Sequence, residues 1–373
     1  MQQADSHRQI EQNLHATVKT PKLQKSELMR YVHQPELVQI TYPSTRPGAQ
    51  RSQLLLALQD AYRTYELQKD PYVTALLDQH SKGYDVSRQL NKLWISHKTY
   101  CYDQLKQLNT KAEAMAEELG TSVMEHYLRH CIAMFEQMAS VFDEQLLDLS
   151  INERQHLLNI FKGFPLYNVE SIPEGILDSL SQKVNILVDT LVAEAGGNPD
   201  FTGLVFVEQR VWVASLAEIL TCHPRTRDLL RVGTFVGTSQ SSKRKSNISI
   251  FAEPKNQQTT LDDFRAGVIN LVLATSVLEE GIDISSCHLV ICFEQPKNLK
   301  SFVQRRGRAR QQRSRYLIFV PDTGNVQSSK SWQSLEAEMR SAYEEDNRKV
   351  RLAQEKEQTD EDGERHLRIE STG

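Results

Sequence analysis

The chain has 373 residues, and its 44 lysines and arginines are outnumbered by 48 aspartates and glutamates, for a formal net charge of −4. It is therefore no polycation, and any grip on nucleic acid has to come from a local basic patch. Hydrophobic content of 39% and charged content of 25% suit a soluble globular protein of two or three domains, and five cysteines without a CxxC pair argue against a disulfide framework or a zinc knuckle; no metal-ligating residue is expected.

Residues 9–32 read as helix, with Ile10, Leu14, Val18, Leu28 and Val32 mostly at helical spacing and a break near Pro21. The N-terminal MQQADSHRQIEQNL has no apolar signal core, and no stretch nears the roughly 20 apolar residues of a membrane span. The expectation is an intracellular, soluble protein, with cytoplasm and nucleus both open. TYPSTRPG, Thr41 to Gly48, is a breaker and linker. From Arg51 to Leu166 the pattern is all helical. Leu54, Leu55, Leu58 and Tyr62 share one helical face, as do Met124, Tyr127, Leu128, Cys131, Met134 and Phe135. Gly120 with Thr121 marks the stop of one long helix and the start of the next.

After GFPLYNVESIPEG (Gly163 to Gly175) the pattern changes. GLVFVE (Gly203 to Glu208), GTFVGT, INLVLAT, CHLVICF and RYLIFV read as short buried strands. QRVWVASLAEIL, TTLDDFRAG and LKSFVQRRGRA read as the helices between them, and Cys287 and Cys292 read as core thiols. Strands alternating with helices from about 173 to 322 predict an α/β fold with a parallel, doubly wound sheet. Ser331 to Glu357 reads as one charged helix with Trp332, Leu335 and Met339 as its apolar stripe, followed by an acidic tail.

In such a sheet, ligands bind at the carboxyl ends of the strands. INLVLAT ends there at Thr275 and Ser276, followed by Gly281 and Asp283. A hydroxyl at a strand end can bond a phosphate oxygen, a glycine admits close backbone approach, and a carboxylate can accept from a ribose hydroxyl. A plain strand-to-loop turn with a solvated acid pair explains the same residues. One strand later, QRRGRARQQRSR sets six arginines between Gln304 and Arg315. Planar guanidinium forks suit phosphate oxygens, although charge runs are often solvated faces. Gly307, inside a helical run, points to a packing or approach requirement.

Together LVLATSVLEEGIDI and QRRGRAR resemble motifs V and VI of superfamily-two helicases, and GLVFVEQR resembles their motif IV. The Gln-x-x-Gly-Arg-x-Arg form of motif VI is similar to that of the branch containing Dicer and related viral-RNA sensors. IEQNLHATVKTPKLQKSELMRYVHQPEL resembles the segment after motif III in Dicer, and AEELGTSVMEHYLRH its helical insert. The likeness covers nearly the whole chain and is strongest at 271–310. It implies a RecA-like doubly wound parallel sheet, the second helicase lobe, with an all-α inserted domain. The expected divisions are 1–50 as a helical remnant of the first lobe plus linker, 51–170 as the insert, 171–325 as the RecA-like lobe and 326–373 as a pincer-like helix and tail.

The resemblance also implies roles, residue by residue. Thr275, with Ser276, would meet the RNA backbone. Gly281 and Asp283 would lie at the nucleotide, and Gln304 would face its γ-phosphate. Arg308 and Arg310 would be arginine fingers, which are worth roughly 10³–10⁵ in rate. Arg305, Arg306, Arg313 and Arg315 map to no finger and are expected in solvent or near RNA phosphates. The implied cofactor is ATP with Mg²⁺, shared with a first lobe. The implied partners are double-stranded RNA, that first lobe and ribonuclease III domains, in cis or in trans, with no membrane.

No Gly-Lys dipeptide of a phosphate-binding loop occurs in the chain, and no DExH motif stands at a strand end. FDEQLLD, Phe142 to Asp148, sits in a helical pattern, and no ribonuclease III carboxylate cluster is visible. The expectation is half of an RNA helicase module of a Dicer-like silencing endoribonuclease, inactive toward ATP by itself. A non-catalytic RNA- or partner-binding module and a fragment of a related DNA helicase or viral-RNA sensor remain open alternatives.

Overall fold

The computed structural model describes residues 33–44, 52–140, 151–166, 176–237, 247–250, 258–279, 284, 286–323, 331–338 and 341. Strands β1 (Glu36–Tyr42), β2 (Gly203–Phe206), β3 (Val232–Phe235), β4 (Leu271–Ala274), β5 (Leu289–Cys292) and β6 (Arg315–Pro321) form one sheet in the order β1-β6-β5-β2-β4-β3. Every pairing is parallel. Strands β2, β4 and β5 are buried along their whole length, as expected where helices cover both faces of a sheet.

Alternation along the strands divides the core. Leu204, Phe206, Val272, Ala274, Val290, Cys292, Tyr316 and Ile318 face one cluster, built with Phe264 and Phe302. Those two come from α9 (Gln258–Arg265) and α10 (Leu299–Arg306). Val205, Leu273, Ile291, Leu317 and Phe319 face the other cluster. It is covered by α7 (Gln182–Gly196) and α8 (Arg210–Cys222), through residues such as Leu187, Leu191, Leu216 and Ile219. The period-2 pattern thus places helices on both faces, and the fold is the doubly wound α/β architecture that the alternation predicts.

The helical block comprises α1 (Gln53–Arg63), α2 (Pro71–Ser81), α3 (Ser87–Ser96), α4 (Tyr100–Glu118), α5 (Thr121–Ser140) and α6 (Ile151–Lys162). Leu105, Leu108, Tyr127 and Phe135 belong to the same apolar cluster as α7 and α8, so the block and the sheet share one core. Polar contacts reinforce the junction. The Gln104 Oε1 accepts from the Ile248 N–H at 2.8 Å, the Tyr127 hydroxyl donates to the Ser249 carbonyl at 2.9 Å, and Lys183 pairs with Glu118. The Gly120 turn between α4 and α5 has φ +118°, and a Cβ there would meet the Ser179 carbonyl oxygen at 2.1 Å. Only glycine satisfies both conditions.

Two differences from the sequence reading stand out. Residues 36–42, counted there within a helical remnant and linker, form β1, an edge strand beside β6. Five of its seven residues are half-buried and the other two exposed, so no clean apolar alternation marks it, and its partner strand is remote in sequence. Helix α7 also lacked an assignment. Ser181 caps it, its hydroxyl accepting from the Val184 N–H. The helix expected at 9–32 and residues 45–48 of the expected linker lie outside the described residues. So does the expected C-terminal helix beyond residues 331–338 and 341.

Candidate functional site

Strand β2 lies between β4 and β5. The chain leaves β2 toward β3 at one edge and leaves β5 toward β6 on the other side. The topological switch point therefore falls between the carboxyl ends of β2 and β5, where open α/β sheets bind ligands. Glu208 follows β2, Glu294 follows β5, and the Glu208 N–H donates to Glu294 Oε2 at 3.1 Å. After β4, Thr275 is nearly buried and begins a single 3₁₀ turn, Ser276–Leu278, with Ser276 exposed.

Helix α10 is capped by Asn298, whose side chain accepts from the Ser301 N–H at 2.9 Å. It packs Phe302 into the core in edge contact with Tyr316 and stacked on Trp332 at 5.3 Å. The arginine run follows from its C-terminal half. Arg305 is 1% exposed. Its Nη2 donates to Glu208 Oε1 at 2.6 Å and its Nε to Glu279 Oε1 at 2.7 Å. Arg306 makes a two-pronged pair with Glu336, at 2.5 and 2.6 Å. Arg308 Nη2 donates to the Glu279 carbonyl at 3.0 Å, and its own carbonyl accepts from the Cys287 N–H at 3.1 Å. Arg310 is exposed, with Nε donating to the Gly307 carbonyl at 2.6 Å. Arg315 pairs with Glu36 and Glu194.

This corrects the sequence reading for three of the four arginines it left in solvent or near RNA phosphates. Arg305, Arg306 and Arg315 are bound to carboxylates of the fold instead of lying in solvent; among the four, Arg313 alone is exposed, at φ +56°. Composition conceals this, because the carboxylates that bind them come from β1, α7, the β2 and β4 exits and the 331–338 helix.

The electrostatics follow the packing. Burial alone would raise the Glu208 carboxyl, but hydrogen bonds and charge from Lys297 and Arg305 outweigh it and hold Glu208 below the usual range. Burial likewise works against the charge on Arg305, and the neighbouring Cys292, Glu208 and Glu279 overcome it, so the guanidinium stays charged. Glu294 is half-buried, its Oε1 out of solvent and lacking a hydrogen-bond partner, and desolvation pushes its carboxyl up to about 7 despite the nearby Lys183.

A family model described as Helicase conserved C-terminal domain matches residues 182–313, the span that contains α7 to α10 and five of the six arginines of the run. A "Dicer-like protein 2" of Phaeosphaeria nodorum is 58% identical over 98% of this chain and 26% of its own length. The chain belongs with the helicase regions of fungal Dicer-like proteins. Other Dicer-like relatives, from Aspergillus oryzae and Aspergillus niger, are 36% and 37% identical, each over 98% of this chain and 26% of its own length. The chain thus spans about a quarter of the length of the curated relatives it matches. Among solved structures, the Pyrococcus furiosus Hef helicase domain aligns at a TM-score of 0.37 with 18% identity, over 82% of this chain and 59% of that one. At that score the likeness assigns nothing.

In this Dicer-like helicase region the structure brings Thr275, Ser276, Glu279, Gln304 and Arg308 onto neighbouring segments, β4 with its exit and α10 with its C-terminal turn. Gly281 and Asp283 lie outside the described residues. Arg310 is on the same turn as Arg308, with its Nε bonded back to the Gly307 carbonyl. Glu208, Glu279 and Glu294 escaped the sequence reading. The available signal was a carboxylate directly after an apolar strand, in GLVFVE and in CHLVICFE. No group of three or more His, Cys, Asp or Glu side chains suited to a metal ion occurs among the described residues. No helix among the described residues is long and apolar enough to cross a membrane.

Proposed function

We propose that this chain is the C-terminal half of an ATP-dependent double-stranded-RNA helicase or translocase module of a Dicer-like endoribonuclease. The observation that carries the reading is the junction of the β4 exit with α10. Arg308 rests on the Glu279 carbonyl, while Ser301 and Arg305 hold the Glu279 carboxylate at 3.0 and 2.7 Å. The two segments that would meet nucleotide and RNA are therefore one packed unit at the switch-point side of the sheet.

The residue types suit a triphosphate: the guanidinium groups of Arg308 and Arg310, on a turn held by main-chain bonds, and the amide of Gln304 on the last turn of α10. ATP with Mg²⁺, when bound between this lobe and a first lobe carrying the phosphate loop, supplies the phosphoryl group whose transfer drives movement. Gln304 and Arg308 orient that end of the nucleotide. Arg308 and Arg310 offset charge there, with Arg308 held in place by Glu279, so little reorganisation is needed. Gly281 and Asp283 complete the nucleotide side, and Thr275 and Ser276 meet the RNA backbone. Duplex RNA is gripped through phosphates and 2′-hydroxyls, so base sequence matters little.

The test is ATP turnover. The chain alone is expected to turn over no ATP with or without duplex RNA. Joined to a first lobe, it is expected to show RNA-stimulated turnover that Arg308→Ala reduces by roughly 10³-fold or more. Turnover by the isolated chain, abolished by Arg308→Ala, would contradict the division of labour. Salt-sensitive RNA binding with no turnover in the joined protein would favour a pure binding module.

A further inference from the structure

Arg305 is assigned no role by the motif likeness, and the proposed reaction does not use it. It is nonetheless the arginine most enclosed by the fold. One guanidinium touches the exits of two strands, Glu208 after β2 and Glu279 after β4. It also lies 5.0 Å from the ring centroid of Phe206, and the thiol of Cys292, the last residue of β5, is a further neighbour. Placing a charge there carries a desolvation cost that an apolar side chain of the same size would avoid. What an apolar side chain, or a lysine, cannot supply is a rigid fork that binds two carboxylates in fixed directions.

Glu279 is the shared element. Its Oε1 accepts from Arg305, its Oε2 accepts from the Ser301 hydroxyl, and its carbonyl accepts from Arg308. Its own N–H closes the 3₁₀ turn on the Ser276 carbonyl at 3.0 Å. A shift of Glu279 therefore moves the acceptor on which Arg308 rests and loosens the turn that carries Ser276. We infer that Arg305 is a positioning residue, which fixes Glu279 against the sheet and through it sets the place of Arg308. The consequence for turnover rests on the reading of Arg308 as a finger; the consequence for the turn does not. Arg306, one residue on, has Glu336 as its partner and serves as an internal control.

The experiment has two arms. In the first, amide hydrogen exchange is followed in this chain at Leu278 and Glu279, whose N–H groups bond within the turn. Arg305→Lys and the milder Glu279→Gln are expected to speed exchange there by about tenfold or more through local opening, leaving β4 unchanged. Arg306→Lys is expected to leave both amides unchanged. In the second arm, RNA-stimulated turnover is measured in the protein containing both lobes. Arg305→Lys is expected to lower kcat about 10–100-fold with KM for ATP within about twofold, the signature of a misplaced group and not of lost binding. Unchanged exchange in Arg305→Lys and Glu279→Gln, or an equal rise in Arg306→Lys, would overturn the inference. So would an unaltered kcat in Arg305→Lys while Arg308→Ala abolishes turnover. Turnover that survives Arg308→Ala would instead overturn the finger assignment, and the exchange arm would still decide the role of Arg305.

Discussion

Replacing Glu294 by glutamine should stabilise this protein above neutral pH. The carboxyl lies at the switch point, accepts one bond from the Glu208 N–H at Oε2, and has its Oε1 out of solvent with no hydrogen-bond partner. The charged groups around it are Lys183, Glu118 and Glu208. Burial raises the carboxyl from 4.5 to about 7. The unfolded chain therefore ionises first, and stability falls as pH rises from about 4.5 through 7. With 1.36 kcal/mol for each unit, the loss above pH 7 amounts to about 3 kcal/mol. Glutamine keeps an acceptor for the Glu208 N–H and carries no charge, so it removes the loss. For a chain of this size unfolding as one unit, about 3 kcal/mol corresponds to a shift of about 4 °C in Tm. Scanning calorimetry of both proteins between pH 5 and 8.5 is the assay. Glu294→Gln is expected to differ by less than about 1 kcal/mol near pH 5 and to gain steadily toward pH 8. A difference independent of pH, or a less stable variant at pH 8, would refute the reasoning.

Three further expectations follow from particular contacts. Arg306→Ala leaves the Glu336 carboxylate, which is 6% exposed as a residue, without its two-pronged partner. It should cost about 2 kcal/mol, allowing for the partial exposure of Arg306, and change the fluorescence of Trp332 stacked on Phe302. Gly120→Ala forces a Cβ to within 2.1 Å of the Ser179 carbonyl at φ +118°, and a loss of more than about 2 kcal/mol in a thermal melt is expected. Binding of duplex RNA by the chain, followed by fluorescence anisotropy, should weaken steeply with salt and discriminate little among sequences. Equal affinity for B-form DNA would count against an A-form track.

Much of the α/β half was legible because its signal is local. Within CHLVICF and INLVLAT, the runs LVIC and LVLA are apolar throughout, which is what a strand covered on both faces requires, and they form β5 and β4 with every residue buried. TTLDDFRAG carries its own stop, Gly267 at φ +74°, and falls where α9 ends. ELVQITY did not read as a strand, because its half-covered edge position leaves it without alternation and its partner is remote. For the candidate site, motif matching located the segments that carry Thr275, Gln304 and Arg308, the β4 exit and α10 with the turn after it. The site was not legible where the role depends on pairing across the fold. Arg305 and Arg306 are indistinguishable in sequence from solvated arginines. Their roles are set by Glu208, Glu279 and Glu336, which no spacing rule connects to them.

The central claim is that the turn after α10 meets the terminal phosphate of a nucleotide held between two lobes. Photocrosslinking tests it most directly, using an ATP analogue with its reactive group on the γ-phosphate, bound to the two-lobed protein with duplex RNA. The expected result is label on the peptide spanning Gln304 to Arg310, competed away by ATP. ATP-competed label on other segments, with that peptide unmodified, would contradict the account.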